Sequence, residues 1–320
     1  MSLRRGRGVL QRLQQPLCEG LQQHAPGLGE IAWLSQTGTQ TRQASQLAVK
    51  QRMRSVQNIQ KITKAMKMVA ASKMRVAQVN TEKSRAIVSP LVRLLGDLPA
   101  VDVENNITVP VTTDKGLCGG INSTIAKYTR ATLRAMAGEG KKQGLVVIGE
   151  KGRAQLQRDQ RKAINATVAD LGKVRITFSQ ASTVAEDLLK TEYDAARILF
   201  NRFGSAISFM PTVATVLSPD ALEKEVEAGG SMDLYEVEGP DRPQLLQDLA
   251  EFHLAATLYN GVQENNCSEQ ASRMSAMESS TKNASEMLSK LTLYYNRSRQ
   301  AKITTELIEI ISGASALESK

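Results

Sequence analysis

The chain has 320 residues, of which 41% are hydrophobic, and a formal net charge of +9. This composition suits one large domain or two ordinary ones and excludes an intrinsically disordered protein. The three cysteines are odd in number and widely spaced, which excludes a disulfide scaffold and a cysteine metal site. No apolar stretch approaches the roughly 20 residues that span a bilayer, so we expect membrane association only through partners.

The first 45 residues are rich in arginine and poor in acid, with Arg4, Arg5, Arg7, Arg12 and Arg42 against Glu19 and Glu30. Such segments are typical of organelle transit peptides. We interpret residues 1–45 as a transit peptide or disordered leader, and a basic tail without a targeting role is the alternative.

Residues 46–98 are predicted to form a long N-terminal helix, with its helical pattern running from Gln46 to Ser89 and ending before Pro90. Its apolar positions are three or four residues apart, which is a helical period; they are Val49, Met53, Val56, Ile59, Ile62, Met66 and Val69. Three consecutive spacings of three between Met53 and Ile62 depart from a heptad repeat and would change the local winding of a coiled coil. The expected consequence is a bent, asymmetric shaft, and a structural irregularity without functional meaning is the alternative.

Positive charge is concentrated on this helix. Residues 49–85 sum to +9, residues 1–48 to +3 and the remaining chain to −3. An acidic partner is the hypothesis that follows. A nucleic-acid partner is the rival, although no aromatic residue lies between Trp33 and Tyr128 to stack on bases. A solvated basic face without a specific partner is the third interpretation.

Residues 99–241 alternate short apolar runs with helical stretches, which predicts an α/β domain with a Rossmann-like fold. The last two strands are close enough to pair as a hairpin, so the sheet should be mixed. We place an acidic loop at Glu223–Glu227. The predicted strands are 107–113, 145–148, 166–171, 195–203, 209–217 and 234–237, and the predicted helices are 122–137, 153–160 and 180–190.

Catalytic and ligand-binding motifs are poorly represented. Gly116–Gly120 and Gly149–Gly152 fit neither the dinucleotide-binding spacing nor a Walker A loop, so tight turns are the favoured interpretation. Beyond the leader, His253 is the one histidine, and it lies in a helical stretch. We therefore predict no catalytic, cofactor-binding or metal-binding residue and no cofactor.

Residues 242–320 are predicted to form a second long helix, which Pro240 and Pro243 introduce. Its apolar end, from Ile303 to Leu317, would need cover, and it lacks the dense basic face of a membrane-surface helix. Its seam positions alternate strictly between spacings of three and four, as in a coiled coil; they are Met274, Met277, Thr281, Ala284, Leu288, Leu291, Tyr295 and Ser298. The two terminal helices could therefore pair as a long antiparallel coiled coil, the second one overhanging by some 30 residues or about 45 Å.

Three segments closely resemble the gamma-subunit family of rotary F-type ATP synthases: Ser55–Met74, Asp114–Asn122 and Ser268–Ala314. The resemblance implies a non-catalytic central rotor stalk whose coiled coil lies inside a catalytic head of alpha and beta subunits. Its α/β domain would meet the small delta or epsilon stalk subunits and the membrane c-ring. Proton flow through the ring would turn this stalk and drive the catalytic sites through their states.

By motif match, the resemblance places Lys64, Met66 and Lys67 opposite an acidic loop of the catalytic subunits. Four residues of the last helix match positions that contact the head: Arg299, Gln300, Thr304 and Glu306. With the leader, the lack of a chloroplast-type cysteine insertion favours the matrix side of the mitochondrial inner membrane. An RNA-binding basic coiled-coil protein and a nucleotide-binding α/β enzyme with helical arms remain as alternatives. The mechanical interpretation requires that the terminal helices neither splay apart nor lie in the domain core.

Overall fold

A computed structural model describes residues 46–96, 103–138, 140–172, 175–227 and 241–318. The leader at 1–45 and the strand predicted at 234–237 lie outside these residues. Within the described residues, two long helices flank five strands and four shorter helices. In chain order these elements are α1 Gln46–Leu95, β1 Asn105–Pro110, α2 Ile121–Ala135, β2 Lys142–Ile148, α3 Glu150–Gln160, β3 Ile164–Val168, α4 Phe178–Leu189, β4 Ala195–Phe203, β5 Phe209–Leu217, α5 Pro219–Glu227 and α6 Arg242–Glu318.

The strands form one mixed sheet in the order β3-β2-β1-β4-β5. The first four are parallel, and β5 folds back on β4 as an antiparallel hairpin whose register runs from Ala195–Leu217 to Phe203–Phe209. The mixed α/β architecture and the hairpin were both expected from the sequence and are confirmed. Most residues of β1, β2 and β4 are buried because helices cover both faces of the sheet.

One face of the sheet packs on α2 and α3, where Ala126 and Leu156 meet Leu145 and Val147. The other face packs on α4 and on the first part of α6. Leu254 and Leu258 of α6 are fully buried in the same cluster as Ile198. The lower part of α6 is therefore core of the α/β domain, formed by β1–β5 with α2–α5. The condition that the terminal helices stay out of the domain core is not met by this part of α6.

The second glycine cluster permits a close approach of two backbones. Gly149 has a φ of +100°, and a Cβ there would lie 2.7 Å from the carbonyl oxygen of Thr112. A Cβ on Gly152 would lie 2.3 Å from Thr112 Oγ1, which accepts the Gly152 N–H at 3.0 Å. These glycines bring the start of α3 against the end of β1.

Two predicted boundaries are wrong. α1 continues through Pro90 to Leu95 because Leu91 and Leu95 are buried, and this packing outweighs the backbone hydrogen bond that proline removes. The predicted acidic loop at 223–227 is part of α5. Leu222 of α5 is buried, and Ser218 Oγ accepts the Ala221 N–H at 3.2 Å as a helix cap.

Candidate functional site: the paired terminal helices

Helices α1 and α6 run antiparallel in one continuous register. In four of the hydrogen bonds between them the residue numbers add to 344: Gln46 with Ser298, Thr63 with Thr281, Thr81 with Gln263, and Ser84 with Asn260. A constant sum over nearly the whole of α1 means that the helices neither slip nor splay apart. At about 1.5 Å per residue the paired length is roughly 75 Å.

The seam of α6 is confirmed, since each of its eight predicted positions from Met274 to Ser298 is buried or half-buried. The register places Tyr295 opposite Val49, Leu288 opposite Val56 and Met274 opposite Ala70. Small side chains on α1 therefore face large ones on α6, as close packing of two helices requires.

The predicted seam of α1 is wrong in part. Ile59, Ile62 and Val69 are 51%, 58% and 55% exposed. Seven of its ten buried positions recur every seven residues without interruption, and they include small and polar side chains: Val49, Val56, Thr63, Ala70, Ala77, Ser84 and Leu91. This regular heptad removes the local change in winding that the sequence predicted for α1.

The apolar residues of α1 that lie outside the seam form a surface that the sequence analysis did not predict. Ile59, Ile62, Met66, Val69 and Val76 lie at spacings of three, four, three and seven on one side of α1. Four of them are at least half exposed, and Met66 is half-buried. The helical spacing of these residues was visible in the sequence. It corresponds to an exposed face of α1 beside the seam, whereas we had assigned it to the seam.

The basic residues on this side of α1 differ in their environments. Lys64 is exposed, whereas Lys67 is half-buried and its Nζ lies 2.7 Å from Glu278 Oε1 on α6. Lys67 therefore already has a partner within the chain. An exposed pair of this kind is worth only about 0 to 1 kcal/mol, so it does not prevent Lys67 from contacting another protein.

Beyond Ser298, α6 continues for about 30 Å without α1 beside it. This overhang, residues 299–318, is 20 residues long, and its side chains are exposed from 299 to 317. The predicted 45 Å was too long because α6 also extends past α1 at its other end. The overhang includes the predicted contact residues Arg299, Gln300, Thr304 and Glu306.

The overhang is apolar for a helix surrounded by solvent. Ile303, Leu307, Ile308, Ile310, Ile311 and Leu317 are 53% to 79% exposed. Within it, Thr304 Oγ1 donates to the Gln300 carbonyl at 3.0 Å, and Lys302 lies 3.5 Å from Glu306. These are contacts within one helix, so the surface is available to another protein.

The first glycine cluster docks on α6. Ser272 Oγ donates to the carbonyl of Cys118 at 2.5 Å, and Asn122 supports the loop through Thr113 at 2.8 Å. Gly119 has a φ of +62°, and a Cβ there would lie 3.1 Å from Ser272 Oγ. The tight-turn interpretation agrees with this geometry.

His253 is 5% exposed, and burial lowers its pKa to about 4, so it is neutral at physiological pH. Among the described residues no group of acids, histidines and cysteines could hold a metal ion. Nor does any helix in this part of the chain have the length and apolarity to cross a membrane.

Comparison with known proteins gives consistent results. A family model described as ATP synthase matches residues 45–317. The mitochondrial ATP synthase gamma subunit of Ipomoea batatas is 54% identical over 282 residues, which cover 87% of this chain and 86% of that protein.

Two solved structures share the architecture. A chain of the Tetrahymena thermophila mitochondrial ATP synthase central stalk and c-ring is 29% identical, with a TM-score of 0.55 over 68% of this chain and 98% of that one. A chain of the Euglena gracilis mitochondrial ATP synthase, in a structure of OSCP, F1 and c-ring, has a TM-score of 0.73 over 86% of this chain and 95% of that one. At 23% identity, this second likeness concerns the fold.

Proposed function

The chain belongs to the gamma-subunit family of ATP synthase, and we propose that it turns as the central rotor between the membrane c-ring and the catalytic head. As a gamma subunit it is part of an enzyme complex. The observation that carries the proposal is the continuous antiparallel register of α1 and α6, which ends in a bare apolar overhang. A rod of this kind can transmit rotation, and its uncovered end needs a surrounding collar of other proteins.

The chain contributes mechanics and no chemistry of its own in this proposal. ATP synthesis and hydrolysis take place on the alpha and beta subunits of the head. Proton flow turns the c-ring, the α/β domain turns with it, and the paired helices force the catalytic sites through their states. The α/β domain also binds the small delta or epsilon subunits of the stalk.

Two surfaces contact the head in this proposal. Lys64, Met66 and Lys67 face an acidic loop of the catalytic subunits, and the exposed residues Ile59, Ile62 and Val69 add an apolar flank to the same side. Arg299, Gln300, Thr304 and Glu306 contact the head from the overhang. The apolar end of the overhang, from Ile303 to Leu317, lies in an apolar sleeve, where burial of its side chains stabilises the assembly.

The complex is mitochondrial and lies at the matrix side of the inner membrane. The name of the relative from Ipomoea batatas, a mitochondrial gamma subunit, supports the compartment. The acid-poor, arginine-rich segment 1–45 supports import through a transit peptide. The family membership leaves no reason to retain a nucleic-acid-binding function, and the basic face of α1 is assigned to the head.

Copurification tests this function. A tagged version of the full chain, expressed in its own cells, should bring down two ATP-binding subunits at three copies each per copy of the chain, together with the c-ring. Recovery of the chain alone, or with RNA and without ATP-binding subunits, would overturn the proposal. A matched purification with the tag on an unrelated matrix protein controls for nonspecific capture.

A further inference from the structure

Arg85, Glu264 and the backbone of Phe203 meet at one point, which we call the three-way joint. Arg85 Nε and Nη2 lie 2.5 Å and 2.9 Å from the two carboxylate oxygens of Glu264. The same Nη2 donates to the Phe203 carbonyl at 2.7 Å, and Glu264 Oε2 accepts the Phe203 N–H at 2.7 Å. Three elements are thereby bonded together: α1 through Arg85, α6 through Glu264 and the end of β4 through Phe203.

The joint is buried on its acidic side. The Glu264 side chain is 1% exposed, while that of Arg85 is 37% exposed. The hydrogen bond to Glu264 raises the pKa of Arg85, so the guanidinium stays charged. A buried carboxylate is stable only when hydrogen-bond donors satisfy both of its oxygens. For Glu264 these donors are the Arg85 guanidinium and the Phe203 backbone N–H. Lysine could not replace that fork, because its single nitrogen cannot reach the carboxylate and the Phe203 carbonyl in the same geometry.

Neighbouring contacts attach α6 to the α/β domain at the same level. Asn201 Nδ2 donates to Asn265 Oδ1 at 3.0 Å, and Ser268 Oγ donates to the Asn201 carbonyl at 2.9 Å. A Cβ on Gly261 would lie 3.3 Å from the ring of Phe200, so the helix lies close on β4. α6 is therefore held to the sheet without Arg85, whereas Arg85 joins α1 to it.

Attachment of both helices matters for twisting. When a two-helix rod is twisted at its base, the helices slide past each other unless both are fixed to that base. The hydrogen bonds of Thr81 and Ser84 hold α1 to α6, and at the base of α1 Leu95 packs in an apolar cluster with Ala195 and Leu217 of the sheet. The bond from Arg85 to the Phe203 carbonyl adds a polar link between α1 and the sheet nearer the free end of the rod.

We infer that Arg85 is a positioning residue for torque transmission: it pins α1 to the α/β domain beside α6, so that the paired helices resist twisting as one body. The inference rests on the proposed rotor function. It gives the Arg85–Glu264 ion pair a role in torque transmission, which is separate from any contribution of the pair to folding stability.

The assembled complex provides the test, with the head immobilised and a bead attached to the α/β domain. The variants are Arg85→Lys, which keeps the charge against Glu264 but loses the fork, and Glu264→Gln. The matched control is Arg130→Lys. Arg130 makes the same kinds of contact inside the α/β domain, with Asp159 Oδ2 at 2.8 Å and the Gln155 carbonyl at 2.9 Å.

Torsional stiffness is obtained from the angular fluctuations of the bead. We expect Arg85→Lys and Glu264→Gln to lower it at least two-fold and Arg130→Lys to leave it unchanged, with equal melting temperatures for the two lysine variants. If Glu264→Gln fails to assemble, Arg85→Lys decides the result. Stiffness in Arg85→Lys equal to that of the parent overturns the inference and leaves the rotor function intact. A parent chain that does not assemble with a head overturns the proposed function, and this inference with it.

Discussion

Thr63 and Thr281 face each other across the helix pair, and the Thr281 hydroxyl donates to Thr63 Oγ1 at 2.8 Å. The contact joins residues 218 positions apart in the sequence and lies between positions that are otherwise mostly apolar. Both hydroxyls also approach carbonyls of their own helices, at Gln60 and Met277. A polar contact of this kind favours one register over its neighbours, because slipping by one position would leave the hydroxyls unmatched.

Replacing either threonine should test this role. Thr281→Val removes the donor and should destabilise the full chain by about 1 kcal/mol, because Thr63 loses its partner inside the seam. The double variant Thr63→Val with Thr281→Val should cost less than the sum of the two single changes. Urea unfolding of the four proteins forms a double-mutant cycle. Strict additivity would show that the hydroxyls do not interact.

A pair of alanine substitutions tests the corrected seam of α1. Leu91→Ala empties a buried site against Ala256 and should cost about 2 to 4 kcal/mol of unfolding free energy. Ile62→Ala changes an exposed side chain and should cost under about 0.5 kcal/mol. Urea unfolding of the full chain measures both. Equal costs would mean that Ile62 does belong to the seam.

His253 should make the fold sensitive to acid. Its pKa is about 4 when folded and near the ordinary 6.5 when unfolded, so the unfolded chain takes up the proton first. Above pH 6.5 the side chain is neutral in both states and the unfolding free energy does not depend on its protonation. Below pH 6.5 the unfolding free energy falls, and it falls further as pH decreases toward 4. Between pH 7 and pH 5 the parent should lose about 2 kcal/mol more unfolding free energy than His253→Gln. Urea unfolding at the two pH values decides, and parallel losses would contradict the prediction.

Met66→Glu tests the contact with the head. A glutamate has the same reach as methionine, and at this half-buried position on the edge of the seam its carboxylate can remain in water, so the fold should remain intact. A new negative charge opposite an acidic loop should repel it and loosen coupling, lowering proton-driven ATP synthesis several-fold. Met66→Leu keeps the apolar contact and serves as the control. Undiminished synthesis by the Met66→Glu complex would remove Met66 from the contact surface.

The sequence predicted most of the fold because the relevant signals are local. β4 and β5 are mainly apolar segments separated by a short turn, and their observed bounds, Ala195–Phe203 and Phe209–Leu217, match the predicted ones. The seam of α6 followed from its spacing alone. α5 was missed although Ser218 and Pro219 form a helix start, because the acidic composition after them suggested a loop.

The remaining errors come from contacts between distant residues. The apolar residues of α1 have a helical spacing that is compatible with either of two adjacent faces being the seam. Only the position of α6 shows that Thr63 lies in the seam and Ile62 outside it. Pro90 ended the predicted helix because the burial of Leu91 was not visible in the sequence. Arg85 and Glu264 are 179 positions apart, so their ion pair depends on the register of the two helices. Periodicity predicts which elements form, but tertiary packing decides which face of α1 is buried.

Direct observation of rotation tests the central claim, that the paired helices and the α/β domain turn as a unit inside a catalytic head. A bead is attached through Lys162→Cys, an exposed position just after α3, while the native Cys118 and Cys267 are buried. The third cysteine, Cys18, is replaced by serine for this experiment. With the head fixed to a surface, ATP should drive continuous rotation of the bead in one direction, and this rotation should stop when ATP is removed. ATP hydrolysis by the same complexes with only random motion of the bead would contradict the rotor assignment.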